Sequence, residues 1–111
     1  ARRMIIHGMT LPYKLNLFGK KPWEVPHLDT LELWKFGVYK NYTSLKLLTN
    51  VLGIPSPKDD IDGSEVYHVY YQEKNIDRII DYCEKDTIAV AQILLRLRGD
   101  ELLHNNEIIH I

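Results

Sequence analysis

The stretch from residue 75 to residue 98 constrains the fold most, because it has the pattern of one long amphipathic helix. Asn75 is a suitable N-cap, Asp77 lies in the first turn, and Arg96 and Arg98 lie in the last turn before Gly99. At about 100° per residue, the pattern predicts an apolar stripe formed by Ile76, Ile79, Ile80, Cys83, Val90, Leu94 and Leu97. The far side of the helix is predicted to carry Asp77, Asp81, Glu84, Lys85 and Gln92.

Two polar residues of this helix, Tyr82 and Asp86, do not belong to the far side. Asp86 projects between the directions of Ile79 and Ile93, at the edge that faces the core, and Tyr82 lies one turn earlier on the same flank. A carboxylate that faces a core needs a partner, and a divalent metal ion is one such partner. A second interpretation stays open at this point: Tyr82 packs at the core edge, and Asp86 pairs with a lysine or arginine of another element.

The composition fits one globular domain or part of one. The 111 residues are 45% hydrophobic and 26% charged, and the formal net charge of −1 provides no overall field that attracts nucleic acid. No apolar run approaches transmembrane length, so no membrane contact is expected. The charge is nevertheless uneven, because Glu24 is the first acid and is preceded by Arg2, Arg3, Lys14, Lys20 and Lys21. This basic N-terminal segment could contact phosphates, but it is also compatible with an ordinary solvated surface.

The residues that carry most enzyme chemistry are absent or scattered. Cys83 is the only cysteine, so a reducing, cytoplasmic location is expected, and its place in the apolar stripe predicts buried packing. None of the five histidines has a partner four residues away, as a zinc-binding helix requires. The sequence also lacks a phosphate-binding glycine loop and a nucleophile elbow.

The first half of the chain is predicted to contain two short helices and a long loop. Residues 1–9 have the pattern of a helix that ends near Gly8, and residues 10–27 form a surface loop. A short strand is predicted from Val25 to Leu28, at a sheet edge because of Pro26. Asp29 and Glu32 form a capping-box pattern that begins a helix ending at Gly37, and this explains Asp29 better than a metal-ligand role does.

The second half is predicted to add two more helices around an acidic loop. Thr43 or Ser44 caps a helix that ends at Gly53 and Pro55. Three acids, Asp59, Asp60 and Asp62, lie in a turn-rich loop but lack the spacing of a calcium site. For residues 64–72 periodicity does not separate helix from strand, and a short helix capped by Asp62 or Ser64 is favoured. Residues 100–111 have no clear pattern.

Three segments, taken in this order, resemble the C-terminal half of the DEDDy 3′–5′ exonucleases. They are Leu-Asp-Thr-Leu-Glu-Leu at 28–33, Tyr-Thr-Ser-Leu-Lys-Leu-Leu-Thr-Asn-Val-Leu-Gly-Ile at 42–54, and Tyr-Cys-Glu-Lys-Asp-Thr at 82–87. These exonucleases are the DnaQ-like members of the ribonuclease H-like superfamily, and the resemblance is strongest to predicted exonucleases related to the proofreading domain of family B DNA polymerases. It implies an α/β ribonuclease H-like fold for the complete domain, of which this chain would be a mostly helical part with one short edge strand. Residues 1–98 would belong to the exonuclease domain and residues 99–111 to a C-terminal tail.

The resemblance also implies a metal-dependent 3′–5′ exonuclease that uses two Mg²⁺ or Mn²⁺ ions. In that family four carboxylates hold the metals and a tyrosine orients the attacking water. Tyr82 matches that tyrosine, and Asp86 matches the last metal ligand and is therefore also a catalytic candidate. The partner would be a nucleic acid, most simply the 3′ end of single-stranded DNA. The resemblance does not distinguish DNA from RNA as the substrate, and it does not specify the biological role or the oligomeric state.

The family's first two acidic motifs have no match in these 111 residues. Residues 1–6 resemble the helix that follows the second motif, so we expect the chain to begin just after it and to be inactive alone. A single Asp86 cannot hold two metals, and a neutral tyrosine cannot replace the missing acids. The alternative is a non-catalytic nucleic-acid-binding or protein-interaction domain of ribonuclease H-like ancestry.

Overall fold

A computed structural model describes residues 1–38, 42–55 and 61–110, which are mostly helical. The described residues form five α-helices, and a π-helical turn, Val69–Glu73, continues α4. Three single 3-10 turns lie at Tyr13–Leu15, Pro22–Glu24 and Asn105–Glu107. The α-helices are α1 (Arg2–Ile6), α2 (Thr30–Lys35), α3 (Leu45–Val51), α4 (Val66–His68) and α5 (Ile76–Arg98).

The helix ends are set by local hydrogen bonds, as the sequence pattern predicts. Ser44 Oγ accepts from the backbone N–H of Leu47 at 3.2 Å, and Asn75 Oδ1 accepts from the backbone N–H of Arg78 at 3.1 Å. These bonds satisfy N–H groups that have no partner within the first turn of a helix. At the other end of α5, Gly99 has φ +76°, a left-handed conformation that glycine adopts without strain.

Asp29 is an N-cap, as predicted. Its Oδ1 accepts hydrogen bonds from the backbone N–H groups of Leu31 at 2.8 Å and of Glu32 at 3.4 Å. The Glu32 side chain does not complete the capping box, because it pairs with Lys35 Nζ at 2.7 Å instead. Helix α2 ends at Lys35, two residues before the predicted end, because Phe36 already has the left-handed φ of +46°.

The core lies where α5 crosses α2 and α3. Leu48, Ile54 and Ile93 are buried together, and Ile93 has no exposed surface. Partly buried side chains surround this cluster: Trp34, Leu45, Leu52, Leu97 and Leu102. The core is small, so only a short stretch of α5 around Ile93 is enclosed on the side that faces the other helices.

The strand predicted from Val25 to Leu28 is wrong, and the described residues contain no strand at all. Val25 does have an extended backbone, with φ −77° and ψ 121°. A strand also needs a neighbouring strand to exchange hydrogen bonds with, and Pro26 has no N–H to offer one. His27 uses its Nε2 to donate to the Lys14 carbonyl at 2.8 Å, which ties this segment back to the preceding loop.

The apolar stripe predicted for α5 is only partly correct. Leu94 and Leu97 are half-buried, but Cys83 is exposed and Ile76, Ile80 and Val90 are 48%, 47% and 40% exposed. The predicted burial of Cys83 is therefore wrong, as is the predicted solvent exposure of Gln92, which is only 7% exposed. Helical periodicity defines one apolar side, but the position of the neighbouring elements decides which part of that side is covered.

The helix favoured for residues 64–72 is present over residues 66–73, but the cap predicted for it is not formed. The N-cap of α4 is Glu65 and has no side-chain cap bond. Asp62 and Ser64 form a separate turn, in which Asp62 Oδ1 accepts from the Ser64 backbone N–H at 2.7 Å. Asp59 and Asp60 of the acidic loop lie outside the described residues.

The tail after Gly99 returns along α5. Leu102 packs on the core, and the backbone of Leu103 is bonded to the Gln92 side chain. Farther on, His110 Nδ1 lies 2.7 Å from Glu84 Oε2. None of the described helices combines the length and the apolar character needed to cross a bilayer.

Candidate active site

Tyr82 and Asp86 lie on the side of α5 that continues into the core. The series Tyr82, Asp86, Ala89 and Ile93 advances by four, three and four residues, so these side chains share one face of the helix. Ala89 is 9% exposed and Ile93 is fully buried, whereas Tyr82 and Asp86 are half-buried. The predicted placement of the pair at the edge facing the core is confirmed, and both side chains remain within reach of solvent or a ligand.

Asp86 forms no hydrogen bond or ion pair with any other residue that the structure describes. A half-buried carboxylate without a partner is unfavourable, because it loses part of its hydration and gains no compensating charge. The ion pair with lysine or arginine that the sequence left open is therefore not found within the described residues. Asp86 retains both oxygens for a cation or a water molecule.

The turn at residues 62–64 lies close to the Tyr82 hydroxyl. A Cβ placed on Gly63 would lie 3.9 Å from Tyr82 Oη, which is an ordinary van der Waals distance. Ile61 anchors the start of this turn, since it is only 4% exposed. Asp62 N–H donates to Glu65 Oε2 at 2.8 Å and closes the turn from its other side.

Asp62 is committed to this turn. The hydroxyl of Ser64, and after it the backbone N–H of Ser64, hold the pKa of the Asp62 carboxyl below its usual value of 3.8. Both hydrogen bonds favour the ionised carboxylate, which therefore stays charged at neutral pH. Its function is to hold the turn beside Tyr82, and nothing in its geometry directs it towards Asp86.

The described residues do not by themselves form a metal site. Within ranges 1–38, 42–55 and 61–110, no three acidic, histidine or cysteine side chains are arranged so that they could hold an ion. Asp29 is occupied as a helix cap. The described acids by themselves therefore do not form the cluster of carboxylates that a two-metal arrangement needs.

A groove in the described part of the chain lies elsewhere. It has a volume of about 970 Å³ and separates α5 from the returning tail, with Lys85, Gln92, Arg96 and His104 among its lining residues. Neither Tyr82 nor Asp86 lines it. The groove and the Tyr82–Asp86 pair thus use different faces of the same helix, and only the pair matches the motif found in the sequence.

Comparison with known proteins supports the family resemblance. No curated protein and no solved structure matches the chain significantly. A family model does match it over residues 9–104, which include α2 to α5 and both Tyr82 and Asp86. That model describes a predicted 3′–5′ exonuclease related to the exonuclease domain of PolB. Because the match covers most of the 111 residues, the chain belongs to this family of predicted 3′–5′ exonucleases.

Proposed function

We propose that this chain supplies the Tyr82–Asp86 part of the active site of a metal-dependent 3′–5′ exonuclease. The observation that carries the proposal is Asp86 itself, a half-buried carboxylate without a partner among the described residues, in a chain that belongs to this family. Such an enzyme hydrolyses the terminal phosphodiester of a nucleic-acid 3′ end and releases nucleoside monophosphates. Mg²⁺ or Mn²⁺ would activate the attacking water and stabilise the leaving oxygen.

The two residues would have different roles in this reaction. Asp86 would contribute a charged oxygen ligand, since hard divalent cations prefer carboxylates. Tyr82, one turn earlier, carries a hydroxyl that can donate or accept one hydrogen bond and so orient a water molecule. The remaining carboxylates have no counterpart among the described residues, so we expect hydrolysis only when further acids complete the site.

The test uses the longest natural protein that contains these residues, with magnesium or manganese and an oligonucleotide labelled at its 5′ end. We expect Asp86→Asn to lower the rate of hydrolysis more than about 100-fold, because even outer-shell partners of a metal cost 10- to 100-fold. Tyr82→Phe should lower it about tenfold, the value of one hydrogen bond.

Asp81→Asn is the matched control. Asp81 is an exposed acid on the same helix and directly precedes Tyr82. It has no assigned role, so its loss should leave the rate unchanged. If Asp86→Asn retained the full rate, Asp86 would not be a metal ligand.

A second candidate function is a non-catalytic nucleic-acid-binding or interaction domain. One observation favours it: the described residues contain no group of three metal-ligating side chains. This alternative predicts oligonucleotide binding without hydrolysis, and a binding constant that does not change when the metal is removed. Hydrolysis that depends on Asp86 would exclude it.

A further inference from the structure

A closed loop near the start of the chain, residues 14–27, carries exposed aromatic rings and lysines. We call it the basic loop. His27 Nε2 donates to the Lys14 carbonyl oxygen at 2.8 Å and so joins its two ends. Inside the loop, the backbone N–H of Lys20 donates to the Leu17 carbonyl at 3.1 Å and forms a tight turn. Gly19 has φ +74° in that turn, which glycine adopts readily.

This turn places Phe18 at its apex, where the side chain is 97% exposed. Four residues after Gly19, Trp23 is 77% exposed within the 3-10 turn Pro22–Glu24. The Glu24 carboxylate accepts from the Lys21 backbone N–H at 2.8 Å, which holds that turn in place. Two large aromatic rings are therefore presented to solvent from two ordered turns of the same loop.

The charges between these two rings are positive, and the one acid of the loop, Glu24, has a carboxylate oxygen bonded to the Lys21 backbone N–H. Lys20 and Lys21 stand between Phe18 and Trp23, and Lys21 Nζ lies 5.3 Å from the centroid of the Trp23 ring. No acid precedes Glu24 in the chain. Exposed aromatic side chains also occur elsewhere, such as Phe36 and Tyr67, but neither of these two lies next to a pair of adjacent lysines. The basic loop thus offers alternating planar rings and cations.

We propose that the basic loop binds single-stranded nucleic acid, with Phe18 and Trp23 stacking on bases and Lys20 and Lys21 contacting phosphates. Proteins bind single-stranded nucleic acid without sequence preference through two elements, aromatic side chains that stack on bases and cations that contact the backbone. The closed loop keeps these groups ordered before binding, which lowers the entropy lost on association. The choice of nucleic acid as the ligand rests on the proposed function. The basic loop is separate in sequence from Tyr82 and Asp86.

The experiment measures binding without catalysis. The 111-residue chain is titrated in EDTA with a fluorescently labelled oligothymidylate, and the anisotropy of the label is recorded at several salt concentrations. Phe18→Ala and Trp23→Ala should each weaken binding about tenfold, within the range found for the loss of one base-stacking ring. Trp23→Phe should restore most of the affinity, because it keeps a planar ring.

The lysines are tested through the salt dependence. Replacing Lys20 and Lys21 by glutamine should reduce the slope of log K against log salt by about 0.7 for each lost phosphate contact. Tyr42→Ala and Lys46→Gln are matched controls, because both residues are exposed and lie outside the basic loop. Neither control should change the affinity or the slope.

Trp23 also provides a direct signal. In a Trp34→Phe background Trp23 is the only tryptophan, and stacking on a base should quench its fluorescence. Unchanged affinity in both Phe18→Ala and Trp23→Ala would overturn the proposal. So would a Trp23 signal that responds to vesicles of phosphatidylserine but not to the oligonucleotide, since the loop would then be a membrane-binding surface.

The two proposals can fail separately. If the loop variants lose binding while hydrolysis is absent from the natural protein, the loop assignment stands and the exonuclease assignment falls. If hydrolysis depends on Asp86 while the loop variants bind normally, the reverse holds.

Discussion

The Gln92 side chain and the backbone of Leu103 exchange two hydrogen bonds. Gln92 Nε2 donates to the Leu103 carbonyl at 2.8 Å, and the Leu103 N–H donates to Gln92 Oε1 at 2.9 Å. Gln92 is almost fully buried, so both of its polar atoms depend on this partner. The pair fixes the tail on α5 directly above the core residue Ile93, and it explains how a polar residue is accommodated there.

Loss of this pair should destabilise the chain. Gln92→Ala removes two hydrogen bonds of which each contributes about 0.5–1.5 kcal/mol, so we expect the free energy of unfolding to fall by about 1–3 kcal/mol. Gln92→Glu should also destabilise, because a carboxylate cannot donate to the Leu103 carbonyl. Urea unfolding followed by circular dichroism measures both changes. Gln72→Ala, at an exposed glutamine of the π-helical turn, should have little effect, and an equal loss there would contradict the assignment.

Without a metal ion, the Asp86 carboxylate should lower the free energy of unfolding. We expect Asp86→Asn to leave the free energy of unfolding unchanged or to raise it by up to about 1 kcal/mol, because the half-buried charge has no partner among the described residues. Thermal unfolding in EDTA measures this, with Asp81→Asn as the exposed control. A decrease of more than about 1 kcal/mol in Asp86→Asn would mean that the carboxylate has a structural partner.

The two interpretations of Asp29 can be separated by two substitutions. Asparagine caps a helix about as well as aspartate does, so Asp29→Asn should leave the unfolding free energy nearly unchanged. Asp29→Ala removes the acceptor for the Leu31 N–H and should cost about 1 kcal/mol. Neither change should alter hydrolysis by more than its effect on the folded fraction. A rate lost in Asp29→Asn at full stability would instead show a role at the metal.

Asp62 makes the stability depend on pH in the acid range. Its folded pKa lies below the usual 3.8, so the carboxylate stabilises the fold above the unfolded pKa and this contribution is lost as the pH falls through the folded value. An NMR titration of the Asp62 carboxyl should therefore give a midpoint below 3.8. Ser64→Ala should raise that midpoint, because it removes the largest cause of the shift. Ser44→Ala, at an unrelated helix cap, should not change it.

The helices could be predicted because their signals are local. Ser44, Asn75 and Gly99 define the ends of α3 and α5 through hydrogen bonds and backbone angles that involve only a few neighbouring residues. The inward direction of Asp86 follows from the same regularity, since the positions of Ala89 and Ile93 on the helix determine it. The strand prediction at 25–28 failed because pairing needs a partner that no local pattern supplies.

The amino-acid sequence by itself determined the N-caps of α3 and α5, the Tyr82–Asp86 spacing and the membership in a family of predicted exonucleases. Only the tertiary structure decided which side chains of α5 are covered: it buried Gln92 through the returning tail and left Cys83 exposed. The physical reason is that periodicity describes one helix, whereas burial depends on the elements that pack against it. The closure of the basic loop was likewise decided by a contact between His27 and Lys14, thirteen residues apart.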